Sequence, residues 1–279
     1  MRLDSHQHFW RYSAEQYPWM KPEWPIRRDF LPADLAPLLA KAGLDGAIAV
    51  QARQDLKEND FLLGLADKNP LVKGVVGWVD LRSPQVDDQL QKFAAHPKAV
   101  GVRHVVQDEL DDNFMLLPEF VRGIGRLKAV DLTYDILIYP KQLPAAIRLV
   151  EQFPDQPFVL DHLAKPVIRD GLLSPWREQI RELARFPNVC CKVSGMVTEA
   201  KWVGWRSDDF RPYFDVVFES FGVERLMYGS DWPVALLAGT YAQVFGLVQA
   251  YVPATHHAAF FGGTAAKFYG INVERSQQA

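Results

Sequence analysis

Two histidines separated by a single residue, His6 and His8, stand near the start of the chain, directly after the short run 1–5. Side chains alternate between the two faces of a β-strand, so a strand here would point both imidazoles to the same side. Two imidazoles on one face can bind a metal ion together or act as a pair of hydrogen-bond donors. The alternative is that one or both are solvated or hydrogen-bonded histidines without a chemical role.

The composition restricts the classes of partner. The 279 residues are 48% hydrophobic and 23% charged, with a formal net charge of −3 and no long basic or acidic block. This pattern argues against nucleic acid and anionic membrane surfaces as partners. The chain has no apolar run of about 18 residues and no signal-peptide pattern at its start. Its two cysteines, Cys190 and Cys191, are adjacent and would point to opposite faces of a strand, so we expect no disulfide and a cytoplasmic location.

Short apolar, β-branched runs alternate with amphipathic stretches along the chain. Eight runs predict strands, namely Arg2–His6, Gly46–Ala52, Val72–Asp80, Ala99–Val106, Val130–Ile138, Pro157–His162, Asn188–Ser194 and Arg225–Ser230. Seven stretches predict helices, namely Pro32–Ala42, Asn59–Lys68, Pro84–Ala95, Leu116–Lys128, Lys141–Phe153, Pro175–Arg185 and Phe210–Phe221. Pro84 and Pro175 would lie in first helical turns, and Gly43 would end the first helix.

Eight strand–helix repeats predict an α/β fold with a single domain, a (β/α)8 TIM barrel. We expect the domain to span 1–279, with an ordered barrel over 1–272 and a polar tail over 273–279. The alternative is a doubly wound open sheet, which would be expected to carry a glycine-rich phosphate loop after an early strand. Gly43, Gly46 and the pair Gly262-Gly263 do not have that spacing.

The segment from Phe9 to Leu31 is longer than the usual βα loop of about 2–6 residues. It is rich in proline and aromatic residues, including Trp10, Trp19 and Trp24. On the catalytic end of a barrel such a loop predicts a pocket wall, and the alternative is a rigid surface decoration.

Catalytic side chains of barrels come from the C-terminal ends of strands. All eight predicted strands end in polar or aromatic candidates: His6 and His8; Gln51 and Arg53; Trp78 and Asp80; Arg103 and His104; Tyr134 and Asp135; Asp161, His162 and Lys165; Lys192 and Ser194; Ser230, Asp231 and Trp232. Ionisable groups near a barrel core are costly unless they are paired or used. For Lys192 and Asp80 a structural ion pair explains the residue equally well, and Asp231 could instead pair with Lys192 or Arg103.

The residue types predict hydrolysis of an ester-like or amide-like bond. His6, His8, His162 and Asp231 can hold one divalent ion and leave a position open for water. Without a metal, imidazole N–H groups could polarise a carbonyl while Asp231 takes a proton from water. A Gly-x-Ser-x-Gly nucleophile turn is absent from the sequence, which makes an acyl-enzyme route less favoured.

Four segments in order resemble the amidohydrolase superfamily, and more narrowly its amidohydrolase-2 branch, which holds sugar lactonases and a pyrone-dicarboxylate lactonase. The segments are His6-Gln7-His8-Phe9-Trp10, Leu160-Asp161-His162-Leu163-Ala164-Lys165-Pro166, Met227-Tyr228-Gly229-Ser230-Asp231-Trp232-Pro233 and the closing Phe261–Gly270. The segment from Val193 to Trp205 resembles the L-fuconolactonase and L-rhamnonolactonase group in particular. The resemblance spans nearly the whole chain.

The resemblance implies a metal site with fewer ligands than is usual in the superfamily. The wider superfamily adds a carboxylated lysine at strand four and a histidine at strand five, where this chain has Arg103-His104 and Tyr134-Asp135. It therefore implies one divalent ion or none, with zinc as the expected ion and no strict requirement for it. It further implies that the three histidines hydrogen-bond or ligate near a lactone carbonyl, with Asp231 as the base.

The expected reaction is the opening of an L-fucono- or L-rhamnono-type lactone to the aldonic acid, so the expected partner is a small sugar lactone. Eight residues are predicted to bind it: Gln51, Arg53, Trp78, Arg103, His104, Tyr134, Trp202 and Trp232. Two alternatives stay open, a metal-dependent decarboxylase of the same branch that acts on a carboxylated aromatic, and a non-catalytic barrel that only binds a sugar or a partner. We expect a monomer or a homodimer.

Overall fold

A single sheet of eight parallel strands, arranged in sequence order, organises the molecule. The strands β1 to β8 are Leu3–Gln7, Gly46–Val50, Val72–Gly77, Ala99–Val105, Thr133–Leu137, Phe158–Leu160, Val189–Val193 and Leu226–Tyr228. The last and first strands meet where Gln7 pairs in parallel with Trp232. The His8 N–H also donates to the Trp232 carbonyl at 2.7 Å. This arrangement confirms the predicted (β/α)8 barrel.

The computed structural model describes residues 1–271, so the predicted polar tail at 273–279 lies outside the described residues. Helices α1 to α10 are Pro32–Ala42, Leu56–Lys68, Val86–Ala94, Pro118–Ile124, Leu143–Gln152, Trp176–Leu183, Met196–Glu199, Ser207–Phe221, Tyr241–Tyr251 and Thr264–Phe268. None of the helices within the described part combines the length and apolar character needed to cross a membrane.

The predicted helix bounds agree best with the structure where a helix-ending residue such as glycine is present. Helix α1 has the predicted bounds and is ended by Gly43, whose φ of 65° is the left-handed conformation that glycine adopts without strain. Helices α3 and α6 begin after Pro84 and Pro175, so the prediction that these prolines lie inside the first turn is wrong by one or two residues. Helix α9 was not predicted from the sequence. It contains no charged residue and therefore lacks the usual contrast between apolar and charged faces.

Several strands are shorter at their C-terminal ends than predicted. Strand β6 ends at Leu160, and the next residues turn through a left-handed segment in which the four consecutive residues 162–165 have φ between 51° and 58°. Asp231, after β8, also has a positive φ of 57°. Left-handed backbone costs about 1–2 kcal/mol for each residue other than glycine. The barrel therefore stores backbone strain at the strand ends where the candidate chemistry lies.

The core has two parts. A large apolar cluster lies mainly between the sheet and the surrounding helices. A smaller cluster includes Leu3, Val50, Val76 and Met227 together with Tyr269, which immediately follows α10. Helix α10 contacts both β1 and β8. These packed layers hold the strands at fixed separations and so position the polar side chains at their ends.

Candidate active site

Three imidazoles surround one carboxylate oxygen at the C-terminal end of the barrel. Asp231 Oδ1 lies 3.3 Å from His8 Nε2, 3.8 Å from His162 Nε2 and 3.9 Å from His6 Nε2. All four side chains are buried. The fold thus brings together the four residues that the sequence predicts for catalysis and metal binding.

The seam between β1 and β8 sets the position of Asp231. The Asp231 N–H donates to the His6 carbonyl at 2.8 Å. Close to this contact, a Cβ added to Gly229 would stand 2.6 Å from His6 Cβ, so only glycine permits this approach of the two strands. These backbone contacts therefore set the relative positions of the His6 and Asp231 main chains.

His162 is held from the neighbouring strand. Its Nδ1 lies 2.8 Å from Ser194 Oγ. Gly195, with a φ of 64°, passes so close that a Cβ there would stand 2.5 Å from His162 Nδ1. The left-handed turn after β6 and the glycine after β7 together direct His162 Nε2 toward Asp231.

The contacts of His8 test whether this donor set suits a metal ion. His8 Nδ1 lies 2.8 Å from the Val50 carbonyl, an acceptor, so Nδ1 must carry the hydrogen. In the neutral ring, Nε2 then presents a lone pair to Asp231 Oδ1, another acceptor. Two facing acceptors are stable only with a cation between them, either a proton or a metal ion.

The ligand atoms of His6, His8 and Asp231 lie within 4.8 Å of one another. Imidazole nitrogen and carboxylate oxygen are zinc ligands, so the residues fit one zinc ion. His6 Nε2 is also 3.3 Å from Arg103 Nη1, which places a cation beside one of the four ligand atoms. This charge would weaken metal binding at that nitrogen.

A fully buried network of charges lies beneath the histidines. Lys192 Nζ lies 2.5 Å from Asp135 Oδ2, 3.0 Å from Asp161 Oδ1 and 3.2 Å from His6 Nδ1. Arg103 Nη1 donates to Asp161 Oδ2 at 3.0 Å, and the Tyr269 hydroxyl donates to Asp135 Oδ2 at 2.8 Å. Lys192 therefore belongs to a structural ion network. This agrees with the structural ion pair that the sequence allowed as an alternative to a direct role.

The carboxylates of Asp80 and Asp231 make different contacts from those of the buried network. Asp80 is partly exposed and lies 4.0 Å from Arg82. Among the described residues, the ion contacts of Asp231 are with the three histidines and not with Lys192 or Arg103. The interpretation of Asp231 as an ion-pair partner of either cation is wrong.

Burial and neighbouring charges set the protonation states. Burial lowers the pKa of His162 to about 4 and that of His6 well below its usual value, so both imidazoles are neutral at pH 7. Burial alone would raise the pKa of Asp231, but the facing imidazoles, His162 first, outweigh it and leave the pKa below its usual range. Asp231 is consequently ionised at neutral pH and can accept a proton.

A cavity of about 700 Å³ opens above these groups and exposes His8, His162 and Asp231 to its interior. Three of the predicted substrate-binding residues, Arg53, Arg103 and Trp202, line it. The segment between β1 and α1 contributes Gln16, Pro18, Trp19 and Trp24 to the same cavity. The prediction that this long segment forms a pocket wall is confirmed.

Five of the predicted substrate-binding residues do not line this cavity: Gln51, Trp78, His104, Tyr134 and Trp232. Side-chain alternation explains two of them. Arg103 and Asp135 join the buried charge network, whereas His104 stacks on Phe114 at 4.9 Å and Tyr134 packs against aromatic rings.

The other three are used in packing or in hydrogen bonds within the protein. Gln51 is buried and donates to the Arg103 carbonyl at 3.2 Å. Trp78 donates through Nε1 to His104 Nδ1 at 3.3 Å. Trp232 is buried against Phe30, with the two ring centres 5.2 Å apart. A position at the end of a strand is therefore not sufficient to predict that a residue lines the cavity.

The sequence prediction of substrate-binding residues missed most of the polar cavity wall, which comes from positions beyond the strand ends: Gln54, Gln107, Asp108, Tyr139, Lys165, Thr198 and Glu199. Their signal in the sequence was weak because they follow the strands at variable distances. Lys165 is a strand-end candidate in the sequence but is not among the predicted substrate-binding residues, although it lines the cavity.

Comparison with known proteins agrees with this geometry. The Amidohydrolase family model matches residues 3–271. The chain is 42% identical to the L-fucono-1,5-lactonase of Burkholderia multivorans over 97% of this chain and 96% of that protein. It is 38% identical to the L-fucono-1,5-lactonase of Burkholderia ambifaria over 99% of this chain and 98% of that protein.

A solved structure is similar over the same extent. The crystal structure of a Burkholderia multivorans amidohydrolase with bound zinc superposes with a TM-score of 0.93 at 42% identity, covering 98% of this chain and all of that one. Both the sequence and the fold therefore match over nearly the whole chain, and the protein belongs to the amidohydrolase family.

Proposed function

We propose that this protein is a lactonase that opens an L-fucono-1,5-lactone-type sugar lactone to the aldonic acid. One observation supports this most directly: an ionised carboxylate, Asp231, faces the neutral imidazoles of His6 and His162 at the floor of a cavity with tryptophan and polar walls. The similar proteins from two Burkholderia species carry the name L-fucono-1,5-lactonase. A rhamnonolactone is the second candidate substrate, because a more distant relative, 26% identical over about half of this chain, is named L-rhamnono-gamma-lactonase.

The chemistry follows from the protonation states. Asp231 accepts a proton from a water molecule as the water oxygen attacks the lactone carbonyl carbon. Negative charge grows on the carbonyl oxygen, where the nearby Arg103 guanidinium supplies positive charge. The ring C–O bond then breaks, and the proton held by Asp231 passes to the departing ring oxygen, which leaves as a hydroxyl group. The product is the open-chain acid, and Asp231 returns to its ionised state.

A zinc ion would be held by His6, His8, His162 and Asp231. Bound there, it would polarise the lactone carbonyl and acidify a water molecule. The residues around it fix its ligands, since the Val50 carbonyl and Ser194 Oγ each hold the Nδ1 of one histidine. Arg53, Arg103 and Trp202 are the predicted binding residues that remain in contact with the cavity and would hold the substrate.

The proposal is tested with a pH-indicator assay on a panel of aldonolactones that includes L-fucono-1,5-lactone and L-rhamnono-lactones. We expect turnover of one of these six-carbon lactones well above spontaneous hydrolysis. Consumption of none of them, together with carbon dioxide release from a carboxylated aromatic, would favour the decarboxylase alternative. Tight binding of a lactone without turnover would instead favour a non-catalytic barrel.

We also propose that residues 1–279 form one domain and that the enzyme works in the cytoplasm, which agrees with two free thiols at Cys190 and Cys191. The assembly state, monomer or homodimer, stays a prediction from the sequence.

A further inference from the structure

Lys165 and Glu199 form a largely buried charge pair on the cavity wall. Their side chains are 16% and 21% exposed, and Lys165 Nζ lies 3.9 Å from Glu199 Oε1. That separation is too long for a hydrogen bond. Within residues 1–271, the contacts of these two charged ends include no hydrogen bond to another side chain or to the backbone. Each end therefore keeps its hydrogen-bonding capacity in a place where water is largely excluded.

The backbone holds both residues firmly. Lys165 ends the left-handed turn that begins at His162, and its N–H donates to the His162 carbonyl at 2.7 Å. Glu199 ends α7, next to Thr198, whose hydroxyl donates to the Gly195 carbonyl at 2.8 Å. The same segments that position His162 thus present the charge pair to the cavity.

The surroundings suit a sugar ring. Trp202, whose Nε1 donates to the Thr198 carbonyl at 2.9 Å, lines the cavity with Lys165 and Glu199. Its ring meets that of Trp24 at 5.7 Å between centres, so the indole is fixed as a flat apolar wall. A sugar ring presents C–H groups on its face and hydroxyl groups on its edge. An indole face beside charged groups that keep their hydrogen-bonding capacity complements both.

The charge pair also lies between two cavities. A second cavity of about 760 Å³ shares Tyr139, Lys165, Thr198, Glu199 and Trp202 with the first. Burial raises the pKa of the Glu199 carboxyl because Lys165 at 3.9 Å does not fully offset the loss of hydration. The pair is therefore an incompletely satisfied group in the wall that the two cavities share.

We propose that Lys165 and Glu199 form a hydroxyl-binding subsite that takes neighbouring hydroxyls of the sugar lactone and makes the enzyme select polyhydroxylated lactones over plain ones. Glu199 accepts a hydrogen bond from one hydroxyl, and Lys165 donates to the oxygen of the next. Trp202 packs on the ring face. This inference rests on the proposed lactonase function and adds to it the source of selectivity.

The experiment compares two substrates in each variant. The ratio of kcat/KM for L-fucono-1,5-lactone to that for δ-valerolactone, which has no hydroxyls, measures recognition of the hydroxyl groups. Glu199→Gln and Lys165→Met should each lower this ratio about 10- to 100-fold, the range for a hydrogen bond to a charged group. The change should appear mainly in KM for the sugar lactone. Where turnover of δ-valerolactone is too slow to follow, its inhibition constant against the sugar lactone replaces its kcat/KM.

Asp208→Asn is the matched control, since Asp208 is a strongly exposed carboxylate in the first turn of α8 and outside the cavity wall. It should keep the wild-type ratio. An unchanged ratio in Glu199→Gln and Lys165→Met, whether both rates fall together or neither falls, would overturn the subsite. Wild-type enzyme that opens no sugar lactone would contradict the proposed function instead, so the two failures are distinguishable.

Discussion

His8 and Asp231 come from opposite ends of the chain, yet His8 Nε2 lies 3.3 Å from Asp231 Oδ1. Backbone hydrogen bonds across the β1–β8 seam hold this contact, because His8 N–H donates to the Trp232 carbonyl and Asp231 N–H to the His6 carbonyl. Closure of the barrel is therefore what assembles the site. These seam hydrogen bonds involve only main-chain atoms, so substitutions of the His8 and Asp231 side chains leave them available and the site can be tested by mutation.

Asp231→Asn should lower kcat about 10²- to 10⁴-fold, the usual cost of removing a general base. The amide is close in size to the carboxylate but cannot accept the proton from water. Activity is measured with L-fucono-1,5-lactone, and the melting temperature is followed in parallel. Asp80→Asn, at another predicted strand end but outside the cavity, is the control and should keep near-wild-type kcat. A large loss of melting temperature with kcat within a few fold of wild type would remove Asp231 from the mechanism.

Metal removal should leave part of the activity. The ligand nitrogen His6 Nε2 has Arg103 Nη1 at 3.3 Å, and this cation can stabilise the developing negative charge without a metal. The enzyme is treated with a chelator, its zinc content is measured, and kcat/KM is compared before and after. Complete loss of turnover that returns only with zinc or manganese would contradict this prediction.

Gly195→Ala should reduce kcat/KM about 10²-fold, the typical effect of displacing a catalytic group by about 1 Å. The new Cβ would stand 2.5 Å from His162 Nδ1 and force the ring to move. Gly171→Ala is a close control because Gly171 has a φ of 66°, similar to the 64° of Gly195, with nothing within 4 Å of the added atom. Both variants carry the same backbone strain. Equal effects on activity would show that strain, and not His162, is responsible.

Lys192→Met should destabilise the protein by about 3–5 kcal/mol, because it leaves the buried carboxylates of Asp135 and Asp161 without their shared cation. Lys141→Met removes a cation from an exposed pair with Asp112 at 2.7 Å and should cost only about 0–1 kcal/mol. Chemical denaturation of both variants measures the difference. Similar unfolding free energies for the two would refute a structural role for the buried network.

Glu58 should make stability fall as the pH rises. Burial raises its pKa from 4.5 to about 7, although its carboxylate accepts from Arg53 Nε at 2.7 Å. Between these pH values the folded state holds a proton that the unfolded state has released, so raising the pH favours unfolding. From pH 5 to 8 the wild type should lose on the order of 2–3 kcal/mol relative to Glu58→Gln.

Denaturant titrations at several pH values measure the difference between the wild type and Glu58→Gln. The exposed Glu151→Gln serves as the control and should run parallel to the wild type. If Glu58→Gln also runs parallel to the wild type across this range, Glu58 is already ionised at pH 5 and the expected shift is absent.

The local sequence was sufficient to predict the barrel and to select four side chains that the fold brings together. Alternation of apolar strands with amphipathic helices is a short-range pattern, and the eight repeats predicted the (β/α)8 fold. The position of catalytic groups at strand ends is a rule of the same fold, so His6, His8, His162 and Asp231 could be selected before any contact was known. The similarity of the four motifs to amidohydrolases predicted the family.

Only the tertiary structure decided which strand-end neighbours enter the cavity. Arg103 and His104 are adjacent, yet one reaches the site and the other stacks on Phe114, because successive side chains of a strand point to opposite faces and only the closed barrel decides which face looks inward. Lys165 ends the left-handed turn after β6 and Glu199 ends α7, and no local pattern specifies the distance between them. Contacts between loops depend on how the whole barrel closes, which is a long-range property of the packed chain.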